Sequence, residues 1–346
     1  MPRLRFPLSA LAVLLAACGG DGRAVVTVFS PHGSDLLEAV ERDFEAANPD
    51  VDVQWVDLGS QDVLDRMRSE RANPSADVWF GAPAEIFERA AAEGLLERYV
   101  PSWAGAVEAD AVGTDSLWFG TYLTPEVIAY NSRMVSAAEA PKDWADVVDP
   151  KWRGQLLIRD PIASGTMRAI FGAQIARSIA ETGSPERGYE WLRQLDANTK
   201  EYVLNPSLLY LKLGRQEGAI TLWDMPDIAT LEQRENVKDI AWVVPTSGTP
   251  VVVDGIALVK GADALEAAKR YYEFVTSEAE LVKAAREWAR IPARTDIPAD
   301  SLPAWIREAK SEIRAMPLDR ELLAEKLDEW MRYWDSNIRN QSRRGS

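Results

Sequence analysis

The segment 160–166 places two hydroxyl side chains, Ser164 and Thr166, around Gly165, where a predicted strand gives way to a predicted helix. Capping explains one such hydroxyl, because its oxygen accepts a hydrogen bond from a first-turn amide. Two hydroxyls flanking a glycine also suit an anion, since free amides and the positive end of the helix dipole face the same point. The sequence leaves both interpretations open, a helix cap or a cradle for an anionic ligand.

Trp223 and Asp224 end another predicted strand and also have two interpretations. The tryptophan can pack the domain beside a solvated carboxylate, or the pair can bind a cation or sugar hydroxyls. Opposite Ser164–Thr166, the pair would suit a ligand with an anionic end and a hydroxylated or amino end. Sugar phosphates, aminoalkylphosphonates and thiamine phosphates meet that description. Asp254 can contribute to such a site or cap a turn.

His32, the only histidine, follows the first predicted strand together with Ser30. The imidazole can donate to an anion or coordinate a metal, or it can be a plain turn residue. Ser30 carries the same ambiguity, whereas Ser34 fits the N-cap of the next helix. The chain contains neither a Gly-x-Ser-x-Gly nor a His-Glu-x-x-His pattern, and one histidine leaves little room for triad or metal catalysis. The sequence therefore argues against an enzyme.

These residues lie at strand ends in an alternating pattern of strands and helices. Apolar runs predict strands at 25–30, 51–56 and 76–80, and helical periodicity predicts helices at 35–47, 61–71 and 84–94. The alternation resumes after residue 117, which predicts an α/β protein with mostly parallel sheets. Its 346 residues favour two lobes. Two extended stretches, 117–131 and 242–259, are predicted to cross between the lobes, and 262–290 and 303–338 are predicted to be helical.

The amino terminus predicts export. Arg3 and Arg5 precede an apolar run at 8–17 that is too short to span a bilayer, as in a secretory signal peptide. Residues 15–18 resemble a bacterial lipobox, in which the cysteine becomes the lipidated first residue; the alternative is an ordinary signal peptide with an incidental cysteine. We predict a lipoprotein signal peptide at 1–17, a lipid anchor at Cys18, a tether at 18–24 and an extracytoplasmic, membrane-anchored protein.

The charge balance limits the partners. The chain has 39 basic and 54 acidic residues, a net charge of −15. Such a chain is a poor partner for nucleic acid or for an anionic membrane surface, because both are negatively charged. The total does not decide the charge of a small ligand, since a local cluster of donors can hold an anion inside a negative protein.

Several short segments occur in a characteristic order. They are the lipobox, 77–83 (DVWFGAP), 128–131 (IAYN), 141–147 (PKDWADV), 152–155 (WRGQ), 160–166 (DPIASGT), 218–220 (GAI) and 255–262 (GIALVKGA). Through these segments nearly the whole mature chain resembles the bacterial extracellular solute-binding proteins of ABC importers. The resemblance is to the branch that includes ferric-iron, phosphonate, sugar-phosphate and thiamine binders.

The resemblance implies the two-lobed periplasmic-binding-protein type II fold, with a two-stranded hinge and a ligand clamped in the cleft. We expect lobe 1 at 25–120 and 252–346, and lobe 2 at 121–251. Ligands of open α/β sheets bind beyond the carboxyl ends of the strands. The predicted ligand-binding residues are Ser30, His32, Ser60, Gly81, Ala82, Tyr122, Ser164, Gly165, Thr166, Trp223, Asp224 and Asp254. We expect Ser164–Thr166 to face His32 and Ser30 across the cleft.

The resemblance further implies an ABC permease as the partner, and we expect a monomer with no cofactor, no catalytic residue and no resident metal. Its ferric-iron binders use two adjacent tyrosines in the second lobe, where this chain has Trp223 and Asp224. The adjacent pair Tyr271 and Tyr272 lies in a predicted helix of another segment, which predicts that one side chain packs in the core and the other lies at the surface. A phosphate- or phosphonate-bearing solute is therefore preferred over iron or thiamine. The alternatives from other classes are a ligand-presenting sensor or structural lipoprotein and, less favoured, an exported hydrolase.

Overall fold

The computed structural model describes residues 22–234 and 236–339. The predicted signal peptide, the lipidation site Cys18 and most of the predicted tether lie outside the described residues. Within the described ranges, none of the helices is both long enough and apolar enough to cross a membrane.

The first half alternates strands and helices as the hydrophobic pattern predicts. Its elements are β1 (Ala24–Ser30), α1 (Ser34–Ala47), β2 (Val51–Asp57), α2 (Ser60–Ser69), β3 (Val78–Pro83), α3 (Ala84–Ala92) and β4 (Leu96–Glu97). β1 pairs in parallel with both β2 and β3. Val26 and Val28 of β1 are fully buried, and α1 brings Leu36, Leu37 and Phe44 into the same core. The predicted alternation of strands and helices in this half, with parallel strands, is confirmed.

The second half repeats the alternation. Its elements are β5 (Phe119–Asn131), β6 (Leu156–Arg159), α4 (Gly165–Thr182), α5 (Glu186–Asn198), β7 (Thr199–Val203), α6 (Pro206–Gly214), β8 (Ile220–Asp224), α7 (Met225–Arg234) and β9 (Ile240–Val243). β6 pairs in parallel with β7 and β8. α4 ends at Gly183, whose φ of 72° is the left-handed conformation that glycine adopts readily.

The carboxyl-terminal elements return to both halves. They are β10 (Val251–Val259), α8 (Leu265–Val275), α9 (Glu278–Glu287), β11 (Ile291–Pro292), α10 (Ala304–Glu312) and α11 (Arg320–Asn337). The predicted helical stretch 303–338 is therefore two helices. Ala315, in the connection between α10 and α11, forms a β-bridge with Thr249, in the segment that links β9 to β10. The two segments therefore run side by side.

The strands follow the order β2-β1-β3-β10-β5-β8-β6-β7. β5 and β10 lie in the middle and pair antiparallel with each other, while the parallel strands lie on either side. β5 is 13 residues long; its first part pairs with β10, and its second part pairs with β8 and β9. A single strand thus continues from one half of the molecule into the other, which gives the two-lobed α/β architecture.

α11 contacts both halves. It packs against α3 of the first half and α4 of the second. Trp334 of α11 is fully buried, with its ring against Phe171 of α4 and Tyr202 of β7. The lobe boundaries at 120/121 and 251/252 stay a prediction, and these contacts show that α11 packs on both halves.

Candidate functional site

A cavity of about 220 Å³ opens where the carboxyl ends of the strands of both halves meet. It is lined by Pro31, His32, Ser60, Pro83, Thr124, Glu126, Gly165, Thr166, Asp224, Asp227, Val252, Asp254 and Arg290. Below, this space is called the inner cavity. Its lining comes from the turn after β1, from β5 and β10, from the end of β8, and from the starts of α2 and α4.

Side chains alternate between the two faces of the central strands, and this alternation determines which of them form the cavity floor. Side chains two apart on a strand share a face, so Thr124 and Glu126 of β5 point to the same side. Glu126 lies directly opposite Asp224 of β8, and Thr124 lies opposite Val252 of β10. Opposite residues of an antiparallel pair also share a face. Two carboxyl groups are therefore adjacent on the floor.

Glu126 is the most isolated carboxyl group of the site. Its side chain is 0 % exposed, and neither carboxyl oxygen has a hydrogen-bond partner in the described part of the chain. Burial raises the pKa of Glu126 well above its ordinary value, and the nearby carboxyl groups of Asp224 and Asp254 raise it further. A buried polar group without a partner costs stability, so this one calls for an explanation.

Asp224 and Asp227 form the wall on the side of the second half. The backbone amide of Asp227 donates to Asp224 at 2.9 Å, which caps the start of α7. Asp227 in turn accepts from the hydroxyl of Tyr210 at 2.7 Å and from the indole nitrogen of Trp223 at 3.2 Å. Burial raises the pKa of Asp224 well above its ordinary value, with the charge of Asp227 as the next cause. Trp223 is buried and acts by orienting Asp227.

Arg290 is the guanidinium of the inner cavity. It lies between α9 and β11, and Ile291 after it pairs with Leu123 of β5. The Nε of Arg290 is buried without a hydrogen-bond partner among the described residues. Across the cavity, Asp254 accepts from the hydroxyl of Thr124 at 3.0 Å. Burial raises the pKa of Asp254, and the charge of Arg290 acts in the opposite direction.

His32 lies against aromatic side chains at the edge of the cavity. Its ring packs edge-on against Phe80 at 4.6 Å and against Tyr122 at 5.4 Å, measured between ring centroids. Its Nε2 is buried without a hydrogen-bond partner among the described residues. Burial, followed by the charge of Arg290, lowers the pKa of His32 well below its ordinary value, so the imidazole is neutral. Gly81 has a φ of 94°, and a Cβ there would lie 2.5 Å from Nε2.

A second, larger space of about 690 Å³ adjoins the inner cavity and shares Ser60, Pro83 and Gly165 with it. We call it the outer chamber. The starts of α2, α3 and α4 border it, and the first turns of α2 and α3 have no side-chain cap within the described residues. The positive ends of the α2 and α3 dipoles therefore lie at this chamber.

The described structure brings together part of the predicted set. His32, Ser60, Gly165, Thr166, Asp224 and Asp254 line the inner cavity. The other predicted residues lie behind this lining: Ser30, Gly81, Ala82, Tyr122, Ser164 and Trp223. The side chain of Ser164 accepts from the amide of Met167 at 3.2 Å and is the N-cap of α4. The hydroxyl of Thr166 faces the cavity, 3.5 Å from a carboxyl oxygen of Asp224. The cap and the cavity-lining hydroxyl are thus two different residues.

Ser30, Ala82 and Tyr122 are buried, so their contacts are internal. Ser30 accepts from the backbone amide of His32 at 3.2 Å, which fixes the turn after β1. Tyr122 packs on the imidazole of the same residue. These side chains position His32 instead of lining the cavity.

Sequence reasoning missed Thr124, Glu126, Asp227 and Arg290. A glutamate inside the apolar run of β5 is a signal that could have been found, because a charged residue is rarely fully buried without a partner. Asp227 lies three residues beyond Asp224 on the same helical turn. Arg290 gives no local signal, because pairing between β11 and β5 brings it to the cavity.

The sequence matches the bacterial extracellular solute-binding proteins over residues 39–311. The chain belongs to this family. A probable ABC transporter periplasmic-binding protein of Sinorhizobium fredii is 25 % identical over 345 residues, covering 97 % of this chain and 93 % of that protein. A putative 2-aminoethylphosphonate-binding periplasmic protein of Salmonella typhimurium is 31 % identical over 312 residues, covering 85 % and 87 %. Iron-bound HitA from Pseudomonas aeruginosa has a TM-score of 0.78 at 22 % identity, covering 89 % of this chain and 98 % of HitA.

This solute-binding protein is therefore the extracytoplasmic component of an ABC importer, which binds a small molecule and delivers it to a permease. The predictions of the family, of the type II fold and of a binding protein instead of an enzyme are confirmed. The inner cavity lies between the two halves, where a hinge motion can enclose a ligand.

The tyrosine pair does not contribute to this site. Tyr271 and Tyr272 are both about 1 % exposed, and the hydroxyl of Tyr272 donates to the carbonyl of Ile256 at 3.1 Å. Both side chains lie in the core, whereas the sequence interpretation had placed one of them at the surface. In the described ranges, the His, Cys, Asp and Glu side chains form no group of three or more suited to a metal ion.

Proposed function

We propose that this solute-binding protein captures a small solute bearing a phosphate or phosphonate group and holds that group between the starts of α2 and α4. The observation that carries the proposal is the position of Thr166, Gly165 and Ser60, which line the inner cavity at two helix N-termini. Helix N-termini favour anions through their free amides and their dipoles. The similarity to the Salmonella typhimurium relative, a putative 2-aminoethylphosphonate-binding protein, supports the same ligand class.

Capture requires contacts with both lobes. Ser60 belongs to the first half and Thr166 to the second, and both border the same cavity. A ligand that contacts both favours the closed state over the open one, because its affinity differs between the two. The closed protein, which we propose to be a monomer, is then the form that the permease recognises.

We propose that Cys18 carries the lipid that holds the protein at the membrane. The apolar run at 8–17 and the small residues before the cysteine support this proposal. Cys18→Ala should release the protein from the membrane fraction and remove a fatty acid detected by mass spectrometry of the amino-terminal peptide. Retention at the membrane with an unmodified Cys18 contradicts the anchor.

A thermal-shift panel tests the ligand class. It contains alkylphosphonates, sugar phosphates, thiamine phosphate and ferric citrate, each added to the purified mature protein. A ligand that binds only the folded state raises the Tm by mass action. We expect a rise with a phosphonate or phosphate ester and none with ferric citrate. A rise with ferric citrate alone would favour the iron transporter alternative and contradict the proposal.

A further inference from the structure

The inner cavity holds more acidic groups than a site for an anion alone requires. Four carboxyl side chains line it, those of Glu126, Asp224, Asp227 and Asp254, against one guanidinium, that of Arg290. His32 adds no positive charge, since its pKa is lowered. A phosphonate that filled this cavity would lie among like charges in a desolvated space, which is unfavourable.

Three of the four carboxyl groups have donors from the protein. Asp224 accepts from a backbone amide, Asp254 accepts from Thr124, and Asp227 accepts from a phenol and an indole. Glu126 alone has no donor in the described part of the chain, although it is fully buried and lines the cavity. A donor on a ligand in the cavity would satisfy Glu126.

We propose that the inner cavity binds the ammonium group of the ligand, with Glu126 as its principal acceptor and Asp224 and Asp254 beside it. This proposal rests on the proposed function, because it takes the phosphate or phosphonate to lie at Thr166 and Ser60. The ligand is then a short zwitterion, an ammonium and a phosphonate or phosphate joined by a few carbon atoms.

The geometry sets the length of that ligand. The hydroxyl of Thr166 lies 3.5 Å from the carboxyl group of Asp224, so the anion side and the cation side adjoin. A cavity of about 220 Å³ leaves room for a short chain between them. An ammonium has three donors, which suit the carboxyl groups of Glu126, Asp224 and Asp254 that line the same cavity.

Binding of an ammonium should also release protons. Glu126 faces Asp224, Asp227, Asp254 and Glu85, and burial with these charges raises its pKa. The free protein therefore holds a proton on Glu126 up to a higher pH than an isolated carboxyl group would. A bound cation stabilises the ionised carboxylate, so the cluster loses a proton when the ligand enters.

Calorimetry with three matched compounds tests the proposal, with 2-aminoethylphosphonate, ethylphosphonate and ethanolamine as the probes. The first should bind the wild-type protein at least about tenfold more tightly than the second, because it adds a charged hydrogen bond to a buried acceptor. Titrations in two buffers of different ionisation enthalpy should show proton release for 2-aminoethylphosphonate and none for ethylphosphonate.

Two variants separate the two ends of the site. Glu126→Gln keeps the shape and should remove both the amine preference and the proton release, while ethylphosphonate affinity stays the same or rises. Thr166→Ala should weaken both phosphonates alike. Melting curves of each variant show whether it folds.

The outcomes distinguish this inference from the proposed function. Equal affinity for the two phosphonates, or an amine preference that survives Glu126→Gln, overturns the ammonium site and leaves the proposed function intact. Binding of ethanolamine without either phosphonate supports the ammonium site and overturns the phosphonate proposal. Binding of none of the three overturns the ammonium site, and the proposed function then stands or falls on the phosphate esters of the thermal-shift panel.

Discussion

The carboxylate of Asp328 on α11 links the two halves of the molecule. It forms an ion pair with Arg168 of α4 and lies 3.6 Å from the guanidinium of Arg89 of α3. α3 belongs to the first half and α4 to the second, so both ion pairs exist together only when the halves are close. We predict that Asp328→Asn shifts the protein toward its open state.

The exposure of the three side chains sets how much the ion pairs of Asp328 stabilise the closed state. The side chain of Asp328 is 46 % exposed, whereas those of Arg89 and Arg168 are 25 % and 23 % exposed. Ion pairs this accessible contribute about 0.5 kcal/mol each after solvent screening. α3 and α11 both belong to predicted lobe 1, so opening breaks only the pair with Arg168. Its loss of about 0.5 kcal/mol is about a twofold change in the ratio of closed to open protein.

Pulsed electron paramagnetic resonance between one spin label on each lobe measures this ratio. Asp328→Asn should lengthen the mean distance in the ligand-free protein and weaken ligand binding by about twofold. Glu329→Gln is the matched control, because Glu329 is 64 % exposed and pairs only with Lys326 of the same helix among the described residues. Distances and affinity equal to those of the control would refute the reasoning.

Three other perturbations follow from the site. Ser164→Ala should lower the free energy of unfolding by about 1 kcal/mol through loss of the α4 cap, while Thr166→Ala leaves stability nearly unchanged. The double variant should bind the ligand at least about tenfold more weakly, and unchanged affinity by calorimetry would show that the Thr166 hydroxyl is not part of the site. Gly81→Ala should destabilise the protein by about 1–3 kcal/mol, because φ is 94° and the new Cβ would meet His32; an unchanged denaturant midpoint would contradict this. The pKa of Glu126 is higher in the folded than in the unfolded protein, so between these two pKa values only the folded state keeps the proton, and the free energy of unfolding falls as pH rises. Glu126→Gln should reduce that fall between pH 5 and pH 8 in denaturant titrations. An equal fall in the variant and the wild type would contradict the raised pKa.

The strands and helices could be predicted because their signals are local. β1 is a run of β-branched residues, and α1 carries Leu36, Leu37 and Phe44 at helical spacing. Each pattern therefore predicts its element from a few neighbouring residues. The strand-end loops could be predicted as well, since parallel strands bring their carboxyl ends to one edge.

Residue types alone could not predict which side chains of those loops line the cavity and which stabilise the loop. Ser164 and Thr166 have similar hydroxyls two residues apart, and only the start of α4 decides that the first accepts from Met167 and the second faces the cavity. Tyr122 was predicted to contact the ligand, yet its side chain is buried and packs edge-on against the imidazole of His32.

The charge of the cavity depends on long-range pairing. Glu126 lies opposite Asp224, which is nearly 100 residues away in the sequence, and the pairing of β11 with β5 brings Arg290 to the same cavity. α11 contacts both halves through side chains such as Asp328, which no local pattern marks. The charge of a site built from several distant segments therefore requires the tertiary structure.

A crystal structure of the mature protein with 2-aminoethylphosphonate tests the central claim most directly. We predict that the phosphonate lies between the starts of α2 and α4, against Thr166 and Ser60, with the nitrogen within hydrogen-bond distance of Glu126. A ligand outside the cleft, or one with its phosphonate among Glu126, Asp224 and Asp254, would contradict the account.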